Sequence, residues 1–479
     1  MSGATNFKTV NLTADNPGNL TSITLPSNAE TIAGAAFSGC TNLTSVTLPS
    51  TLTSIQYEAF SGCSSLTEIE IPAGVTSLAD DTFNGCNALS SVTFAPGSQL
   101  TTIDRRVFEN CSSLSTITLP SSVNSIGSQA FMSCSGLTEF VIPDGVQTLD
   151  GTFVSCSNLA SITIPASVNK LQNNPFYELP QDCVLKITSN GGSIIGGSTQ
   201  YPTRRFKVEL SGTSIPLNDS SVSIFKDNNY LTEVKLPNTI TTIPANAFNS
   251  CMNVTKINIP ATVSSIGTDA FKLLGGNLSS TGGCTFTFEG NQNMTSVSIP
   301  DNAHKVVLKN GVPKCGGASI FQDDAYLQEV VFKGGQLGVN NTFSGCTQLT
   351  TVTFNSYPSD VSSRSNVLPS SVHNIIFEPD TVPMNNVANV GNLFPSTMNY
   401  SSLTVTFKND SSSIRINPDP MNPNPTAFDF DGAENITYKF AVNPNTNMTY
   451  DAGTCFIDGK TATAGGTTYT WNSSTKSWQ

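Results

Sequence analysis

The sequence predicts a repeat solenoid with short parallel β-strands along one side and short helical or 3₁₀ turns along the other. Two observations indicate this fold class. A phenylalanine and a cysteine recur together at intervals of about 23 residues. Each interval contains a strand-like alternation followed by apolar residues at helical spacing. A chain of 479 residues could otherwise form about three globular domains, so the repeat favours a stack of coils over separate cores.

The repeat is most regular between residues 20 and 165. Phe-x-x-Cys pairs recur there, and their cysteines are separated by 23, 23, 25, 23 and 22 residues. The cysteines of these pairs are Cys40, Cys63, Cys86, Cys111, Cys134 and Cys156. Because each occupies a fixed position near an apolar ring, we expect these cysteines to be free, buried thiols that fill the turn rather than disulfides.

One coil contains a strand and a tight turn. Apolar and polar residues alternate in Val46–Leu48, which is typical of a strand with one buried face. Pro49 then ends the strand, since proline cannot donate to a ladder. Ile55 and Ala59 lie four positions apart, and Phe60 and Cys63 lie three positions apart, which is the spacing of residues on one side of a helical turn. Neither element can bury its apolar side alone, so successive coils must stack.

The unit Leu-x-x-Ile-x-Ile-Pro-x-x-Val-x-x-Ile-x-x-x-Ala-Phe-x-x-Cys resembles the leucine-rich repeats of the Treponema pallidum or BspA-like type. The resemblance is specific in residues 20–165 and 231–271, and it ends at about residue 400. It implies a leucine-rich-repeat horseshoe with parallel strands on the concave side and helical or 3₁₀ turns on the convex side. It also implies a displayed or secreted protein of a host-associated microbe, used for adhesion rather than catalysis.

The repeat pattern and its interruptions predict five regions. We expect an N-terminal cap, a regular block, an irregular insert, a degenerate block and a β-rich C-terminal cap or appendage. Their bounds are 1–19, 20–190, 191–220, 221–400 and 401–479.

Composition argues against several classes of function. The chain carries 22 Lys and Arg against 34 Asp and Glu, a net charge of −12, which does not favour a nucleic-acid partner. It has no apolar stretch long enough for a transmembrane helix. With only His304 and His373 as histidines, no Gly-x-Ser-x-Gly elbow and no Cys-x-x-Cys pair, we expect no catalysis, no cofactor and no metal site.

The expected function is therefore a non-enzymatic scaffold that binds a protein or glycan on a host or neighbouring cell, acting as a monomer. The N-terminal Met1–Phe7 lacks the features of an export signal, so either a signal is missing from this chain or the protein is cytoplasmic. A polar composition dominated by Ser, Thr and Asn favours an extracellular or cell-surface location. Two alternatives are a structural spacer of the cell envelope and carbohydrate binding through the C-terminal cap.

Two groups of residues are candidates for recognition. The outward positions of the regular strands are small hydroxyl residues, which are poor anchors for a tight protein interface. The irregular insert instead groups four aromatic and basic residues after a glycine-rich run: Tyr201, Arg204, Arg205 and Phe206. An alternative is a solvated insertion with Phe206 packed into the next strand. Trp471 and Trp478 either stack on sugar rings or close the apolar end of the solenoid.

Overall fold

A computed structural model shows two units, Met1–Pro237 and Asn238–Gln479, which together contain about 14 turns of a parallel β-solenoid. The predicted repeat solenoid is thereby confirmed. The residues described are 8–11, 19–191, 201–216, 223–277, 283–290, 293–294, 303–315, 318–337, 340–356, 367–378, 384–387, 393, 403–408, 414–416, 436–441, 444, 448–450, 461–472, 474–475 and 477–479.

In the first unit the coils of the regular block form two parallel ladders. The strands are β1 Thr9–Val10, β2 Ser22–Thr24, β3 Thr31–Ile32, β4 Ser45–Thr47, β5 Ser54–Ile55, β6 Glu68–Ile71, β7 Ser77–Leu78, β8 Ser91–Phe94, β9 Thr102–Ile103, β10 Ser125–Ile126, β11 Glu139–Val141, β12 Thr148–Asp150, β13 Ser161–Ile164, β14 Lys170–Gln172, β15 Cys183–Ser189, β16 Phe206–Gly212 and β17 Leu231–Lys235.

We call the ladder that carries the longer strands the strand face. It consists of three separate groups of paired strands: β2–β4, β6–β8 and β11–β13–β15–β16–β17. The second ladder consists of β1–β3–β5–β7–β9–β10 and β12–β14. Its first six strands form one unbroken ladder, so the two ladders of the regular block are not interrupted at the same coils.

Alternation along each strand separates the core from the surface, as the period of two predicts. In β6, Ile69 and Ile71 are buried while Glu68 and Glu70 are exposed. The register places Glu68 opposite Ser91, so equivalent positions of successive repeats are direct neighbours. Burial of the same apolar position in every coil produces a continuous core along the unit.

The regular spacing of phenylalanines along the chain produces a column of stacked rings. The rings of Phe37 and Phe60 lie 5.1 Å apart and within 6° of parallel. The next three contacts in the column have centroid distances of 5.5, 5.6 and 5.3 Å. Such offset pairs contribute about 0.5–1.5 kcal/mol each beyond the area they bury.

The segment expected to be helical is a turn, and no α-helix is assigned anywhere in the described ranges. Every second amide donates to the carbonyl oxygen three residues earlier, as in a 3₁₀ turn: Ala36, Ser38 and Cys40. The intervening amides donate to the next coil at 2.7–2.9 Å: Ala35, Phe37 and Gly39. Because half of the amides bond between coils, the turn is a third line of hydrogen bonds along the stack rather than a helix.

The repeat cysteines add a side-chain bond to this line. The thiol of Cys134 donates to the carbonyl oxygen of Phe108, one coil earlier, at a distance of 3.0 Å. The same bond has a length of 3.1–3.3 Å at Cys63, Cys86, Cys111 and Cys156. Ten cysteines are buried, free thiols. Each repeat cysteine is thus both a packing residue and a hydrogen-bond donor between coils.

In the second unit the strands are β18 Thr242–Ile243, β19 Lys256–Ile259, β20 Ser265–Ile266, β21 Cys284–Phe288, β22 Asn293–Met294, β23 Ala303–Leu308, β24 Lys314–Cys315, β25 Ala318–Ser319, β26 Glu329–Lys333, β27 Thr351–Ser356, β28 Asn374–Phe377, β29 Met384–Val387, β30 Leu403–Phe407, β31 Ile414–Ile416, β32 Ile436–Phe440, β33 Met448–Tyr450, β34 Thr461–Ala464, β35 Thr467–Asn472 and β36 Ser477–Trp478.

The main ladder of the second unit is parallel from β19 to β34, in the order β19–β21–β23–β26–β27–β28–β30–β32–β34. Three strands that lie beyond residue 400 are therefore rungs of the solenoid. Antiparallel pairing at the C-terminal end joins β34 to β35 across Gly465 and Gly466, and then β35 to β36. Both glycines have positive φ, 53° and 83°, as a two-residue hairpin turn requires.

Two turn positions have a left-handed backbone in both units. The residue two before the repeat phenylalanine has positive φ at Ala35, Glu58, Asp81 and Asp269. The residue before the repeat cysteine has φ between 58° and 80° at Gly39, Gly62, Gly85, Asn110, Ser133, Ser155, Ser250 and Gly345. A left-handed conformation costs an L-residue roughly 1–2 kcal/mol, and glycine avoids that cost. The position before the cysteine therefore tolerates Ser and Asn at the expense of stability.

We predict that Ser133→Gly raises the free energy of unfolding by about 0.5 kcal/mol, because relief of the left-handed strain exceeds the extra chain entropy of glycine. Gly62→Ala should lower it by about 1 kcal/mol, although an added Cβ would lie 3.7 Å from its nearest neighbours. Urea denaturation measures both changes. As the control, Ser50→Gly at a turn residue without positive φ should be destabilising; a loss of stability in Ser133→Gly as well would contradict the strain argument.

The buried thiols also predict a decline in stability at alkaline pH. Burial raises the pKa of Cys156 to about 12, whereas a thiol in the unfolded chain has a pKa of about 8.5. Between these values the unfolded chain releases a proton that the folded chain keeps, so the thiol's contribution is complete below pH ~8.5 and is lost as pH rises toward ~12.

Cys156→Ser replaces the thiol by a hydroxyl that does not titrate in this range and can still donate to Phe131. The slope of unfolding free energy against pH should become shallower by up to about 1.4 kcal/mol per pH unit between pH ~9 and ~10.5. Urea titrations in reducing buffer at several pH values measure this slope. An unchanged slope in the variant would show that Cys156 is not the buried acid described.

Candidate functional site

The strand face of the first unit changes in chemistry from coil to coil. Its outward side chains are acidic in β6, hydroxyl-bearing in β8 and in residues 116–119, and mixed in β11, where Glu139 and Val141 are exposed. The inward side chains stay aliphatic or aromatic throughout. A constant core therefore presents a variable surface, which is the arrangement that repeat proteins use for recognition.

Toward β17 the strand face becomes charged, with opposite charges placed on neighbouring strands. Lys207 lies 3.7 Å from Glu233, and Lys235 lies 3.9 Å from Glu209. All four side chains are partly exposed, so each pair contributes at most about 1 kcal/mol. These pairs neutralise one another and leave this part of the face without a strong net field.

Two grooves interrupt the strand face. The first groove lies between β8 and residues 116–122 and has a volume of about 700 Å³. The second groove lies between residues 116–121 and 139–144 and has a volume of about 370 Å³. Residues 116–119 occupy the strand position of their coil but belong to no ladder. They form a wall shared by both grooves.

A charged cluster lies on the turn side of the same coils. The Arg106 guanidinium lies 3.0 Å from the carboxylate of Asp81, and Asn84 donates to Asp81 at 2.7 Å and to Glu109 at 3.2 Å. Burial raises the pKa of the Glu109 carboxyl, against the opposing effect of Arg106. The residues are mutually paired, which is typical of a brace between coils.

Two kinds of site are absent from the described residues, metal sites and membrane-spanning helices. Among them, no group of three or more His, Cys, Asp or Glu side chains is placed to hold a metal ion. No helix within those ranges is long and apolar enough to cross a bilayer.

Two of the four predicted partner-binding residues are buried and two are exposed. Tyr201 and Phe206 are buried, with 2% and 0% of their surface exposed, and their rings stack 6.0 Å apart. Arg204 and Arg205 are exposed between them. Phe206 opens β16, as the alternative interpretation expected. Burial leaves the two aromatic residues inaccessible to a partner, whereas a binding role for the two arginines stays a prediction.

Both tryptophans are buried in the closing hairpin of the second unit. Trp471 and Trp478 are opposite each other in the β35–β36 pair, with 1% and 2% exposure and ring centroids 5.5 Å apart. Trp478 also contacts the ring of Phe440, the terminal aromatic of β32, at 5.3 Å. This packing is what closure of the apolar end requires, and neither indole presents a face for sugar stacking.

The sequence interpretation did not identify the grooves. The signal that could have indicated them is the 25-residue separation of Cys86 and Cys111, the longest in the regular block. β9 starts eleven residues after β8, whereas β7 starts nine residues after β6 and β12 nine after β11. The two additional residues therefore lie between β8 and β9, at one end of the first groove.

The sequence matches the family described as BspA type leucine rich repeat region, with 6 copies over residues 14–99, 95–191 and 207–274. These residues make up about half of the chain. No curated protein matches the sequence.

Solved structures of bacterial repeat proteins are similar to the chain. A leucine-rich repeat protein from Bacteroides ovatus is 22% identical over 71% of this chain and 88% of its own, with a TM-score of 0.32. A leucine rich cell surface protein from Faecalibacterium prausnitzii is 21% identical over 78% and 88%, with a TM-score of 0.32. The pneumococcal vaccine antigen PcpA is 19% identical over 72% and 77%, with a TM-score of 0.29.

The burial of Tyr201 generates a prediction about stability. Its ring lies 6.1 Å from Phe176 and 5.7 Å from Phe225, and its hydroxyl is buried without a hydrogen-bond partner among the described residues. Burial also raises the pKa of Tyr201 above the usual range of tyrosine. Tyr201→Phe should therefore leave the free energy of unfolding unchanged or raise it by up to about 1 kcal/mol. Tyr201→Ala should lower it by about 3–5 kcal/mol.

Chemical denaturation of the two variants measures this difference. Arg204→Ala is the surface control, for which we expect a change within about 0.5 kcal/mol. A loss of more than about 1 kcal/mol in Tyr201→Phe would mean that the hydroxyl has a partner in the folded chain.

Proposed function

The chain belongs to the BspA type leucine rich repeat family, and we propose that it is a non-enzymatic recognition scaffold displayed on or secreted from a microbial cell. Its partner is a protein or glycan on the surface of a host or neighbouring cell, and it binds as a monomer. The observation that carries this proposal is the strand face of the first unit. There the core positions are constant, the exposed positions vary, and two grooves open between rungs.

Two further observations support the proposal. One similar structure is that of a leucine rich cell surface protein and another that of a vaccine antigen. In addition, the titratable side chains of the face are exposed or paired with opposite charges rather than collected in a dry pocket. Such side chains lack the desolvation that shifts catalytic pKa values, which favours binding over chemistry.

The test begins with a binding screen of the full chain against extracellular-matrix proteins, neutral glycans and acidic glycans at physiological salt. Light scattering of the same sample measures the mass in solution, and labelling of intact source cells with an antibody to the chain measures display. We expect at least one partner, a monomeric mass and labelling of intact cells. No partner on the panel together with strong labelling would favour the structural spacer, and no labelling would contradict display.

Matched variants then locate the site. Thr118→Arg adds a long charged side chain to the strand face, and Ser125→Arg adds the same side chain to the second ladder of the same coil. We expect Thr118→Arg to weaken the partner by about 10-fold or more through steric exclusion, with no effect of Ser125→Arg. Loss of binding in Arg204→Ala but not in Thr118→Arg would instead place the site at the exposed arginines.

A further inference from the structure

The first groove lies at one of the places where the strand face is unpaired, between β8 and residues 116–119. β6 and β8 pair over four residues, from Glu68 opposite Ser91 to Ile71 opposite Phe94. No backbone hydrogen bond joins β8 to residues 116–119, although all of these residues are described. Residues 116–119 form no backbone hydrogen bond to β11 either. The bond just before them in the chain is donated by the amide of Thr138 to the carbonyl oxygen of Ser115, at 3.2 Å.

The gap is closed at both of its ends. At one end the amide of Ser113 donates to the carbonyl oxygen of Asn87 at 3.1 Å. At the other end the hydroxyl of Ser122 donates to the carbonyl oxygen of Leu100 at 2.6 Å. Behind the gap, the rings of Phe83 and Phe108 remain stacked at 5.6 Å. An added peptide strand needs about 9.6 Å between its neighbours, two strand spacings, so the closed and stacked gap does not fit one.

The lining of the first groove is polar and carries no charge. Hydroxyl groups come from both walls: Ser91, Thr93, Thr116, Thr118, Ser121 and Ser122. The lining contains no Asp, Glu, Lys, Arg or His. The second groove differs, because Glu139, Asp144 and the 63% exposed Val141 line it.

An aromatic residue is partly exposed in the first groove. Phe94 occupies the inward position that Ile71 and Ile142 occupy in other coils, where they are 0% and 2% exposed. Phe94 is instead half-buried and lines the groove. The two additional residues of this coil follow Phe94, between β8 and β9.

We propose that the first groove binds a neutral oligosaccharide. The unpaired amides and carbonyls of residues 116–119 and the hydroxyls of both walls offer donors and acceptors at close spacing, which matches the hydroxyls of a sugar ring. The partly exposed Phe94 offers an apolar contact for the C–H face of the sugar ring. A charged ligand would find no counter-charge in this lining, so its desolvation would be uncompensated. This inference rests on the proposed function and specifies its ligand.

The experiment uses the full chain and a panel of neutral gluco-, galacto- and manno-oligosaccharides, with uronic-acid and sulfated oligosaccharides as charged counterparts. Titration up to about 10 mM detects even weak complexes. We expect a neutral oligosaccharide to bind and to slow amide hydrogen exchange of residues 116–119. Exchange of the paired strand β13 should not change, since its amides are already bonded in the ladder.

Isosteric variants assign the binding to this groove. Thr93→Val and Thr118→Val each remove one hydroxyl from opposite walls and should raise Kd by about 5-fold. Phe94→Leu keeps an apolar residue without a ring and should raise Kd by about 3- to 10-fold. Thr163→Val on β13 is the matched control and should leave Kd unchanged. Thermal unfolding of every variant shows whether the fold is kept.

Four outcomes would overturn the inference: no neutral oligosaccharide binds, a charged one binds better, Thr163→Val weakens binding as much as Thr118→Val, or residues 116–119 gain no protection. Each is distinct from failure of the proposed function. A chain that binds a protein on the screen, with these Val variants unchanged, keeps its role as a scaffold while losing this ligand.

Discussion

The bond from each repeat cysteine to the phenylalanine carbonyl one coil earlier is the contact on which the first unit depends most. It lies between the phenylalanine column and the turn amides, and it satisfies a buried carbonyl that also accepts the amide of the cysteine in its own coil. Because a carbonyl oxygen has two lone pairs, it can accept both the amide and the thiol. Because the bond recurs at five consecutive coils, the turn side is held together independently of the strand face.

This independence explains how the strand face can be interrupted without loss of the stack. At residues 116–119 the strand hydrogen bonds are absent, yet the rings of Phe83, Phe108 and Phe131 stay 5.3–5.6 Å apart. The second ladder is also continuous there, from β9 to β10. The energetic cost of the gap is therefore local, as expected for a repeat protein in which each coil is stabilised by its immediate neighbours.

The period of the sequence was sufficient to predict the solenoid, because stacking is the only way such short elements can bury their apolar sides. The same reasoning predicted buried cysteines but not their hydrogen bonds, since a fixed spacing does not show where a thiol points. It also expected helical turns, because apolar residues at spacings of three and four do not distinguish a helix from a turn bonded to the next coil. The left-handed backbone of residues such as Gly39 and Ser133 distinguishes this turn from a helix.

Candidate sites were harder to predict than the fold, for a related reason. Tyr201 and Phe206 were chosen because aromatic residues in an irregular insert are typical of recognition, yet Phe206 alternates with Val208 and Leu210 as a buried strand does. The same alternation criterion that predicted the regular coils would have assigned Phe206 to the core.

Residue type alone does not indicate the first groove. Serine and threonine on a paired strand are an ordinary solvated surface, and the same residues beside an unpaired strand line a polar groove with additional backbone donors and acceptors. The residues of β8 and of β13 are alike in kind, Ser-Val-Thr-Phe and Ser-Ile-Thr-Ile. What distinguishes the two strands is pairing, because β13 is bonded to both β11 and β15 whereas β8 is bonded on one side only, to β6. In this chain the absence of a bonded neighbour, rather than residue type, therefore marks the candidate site.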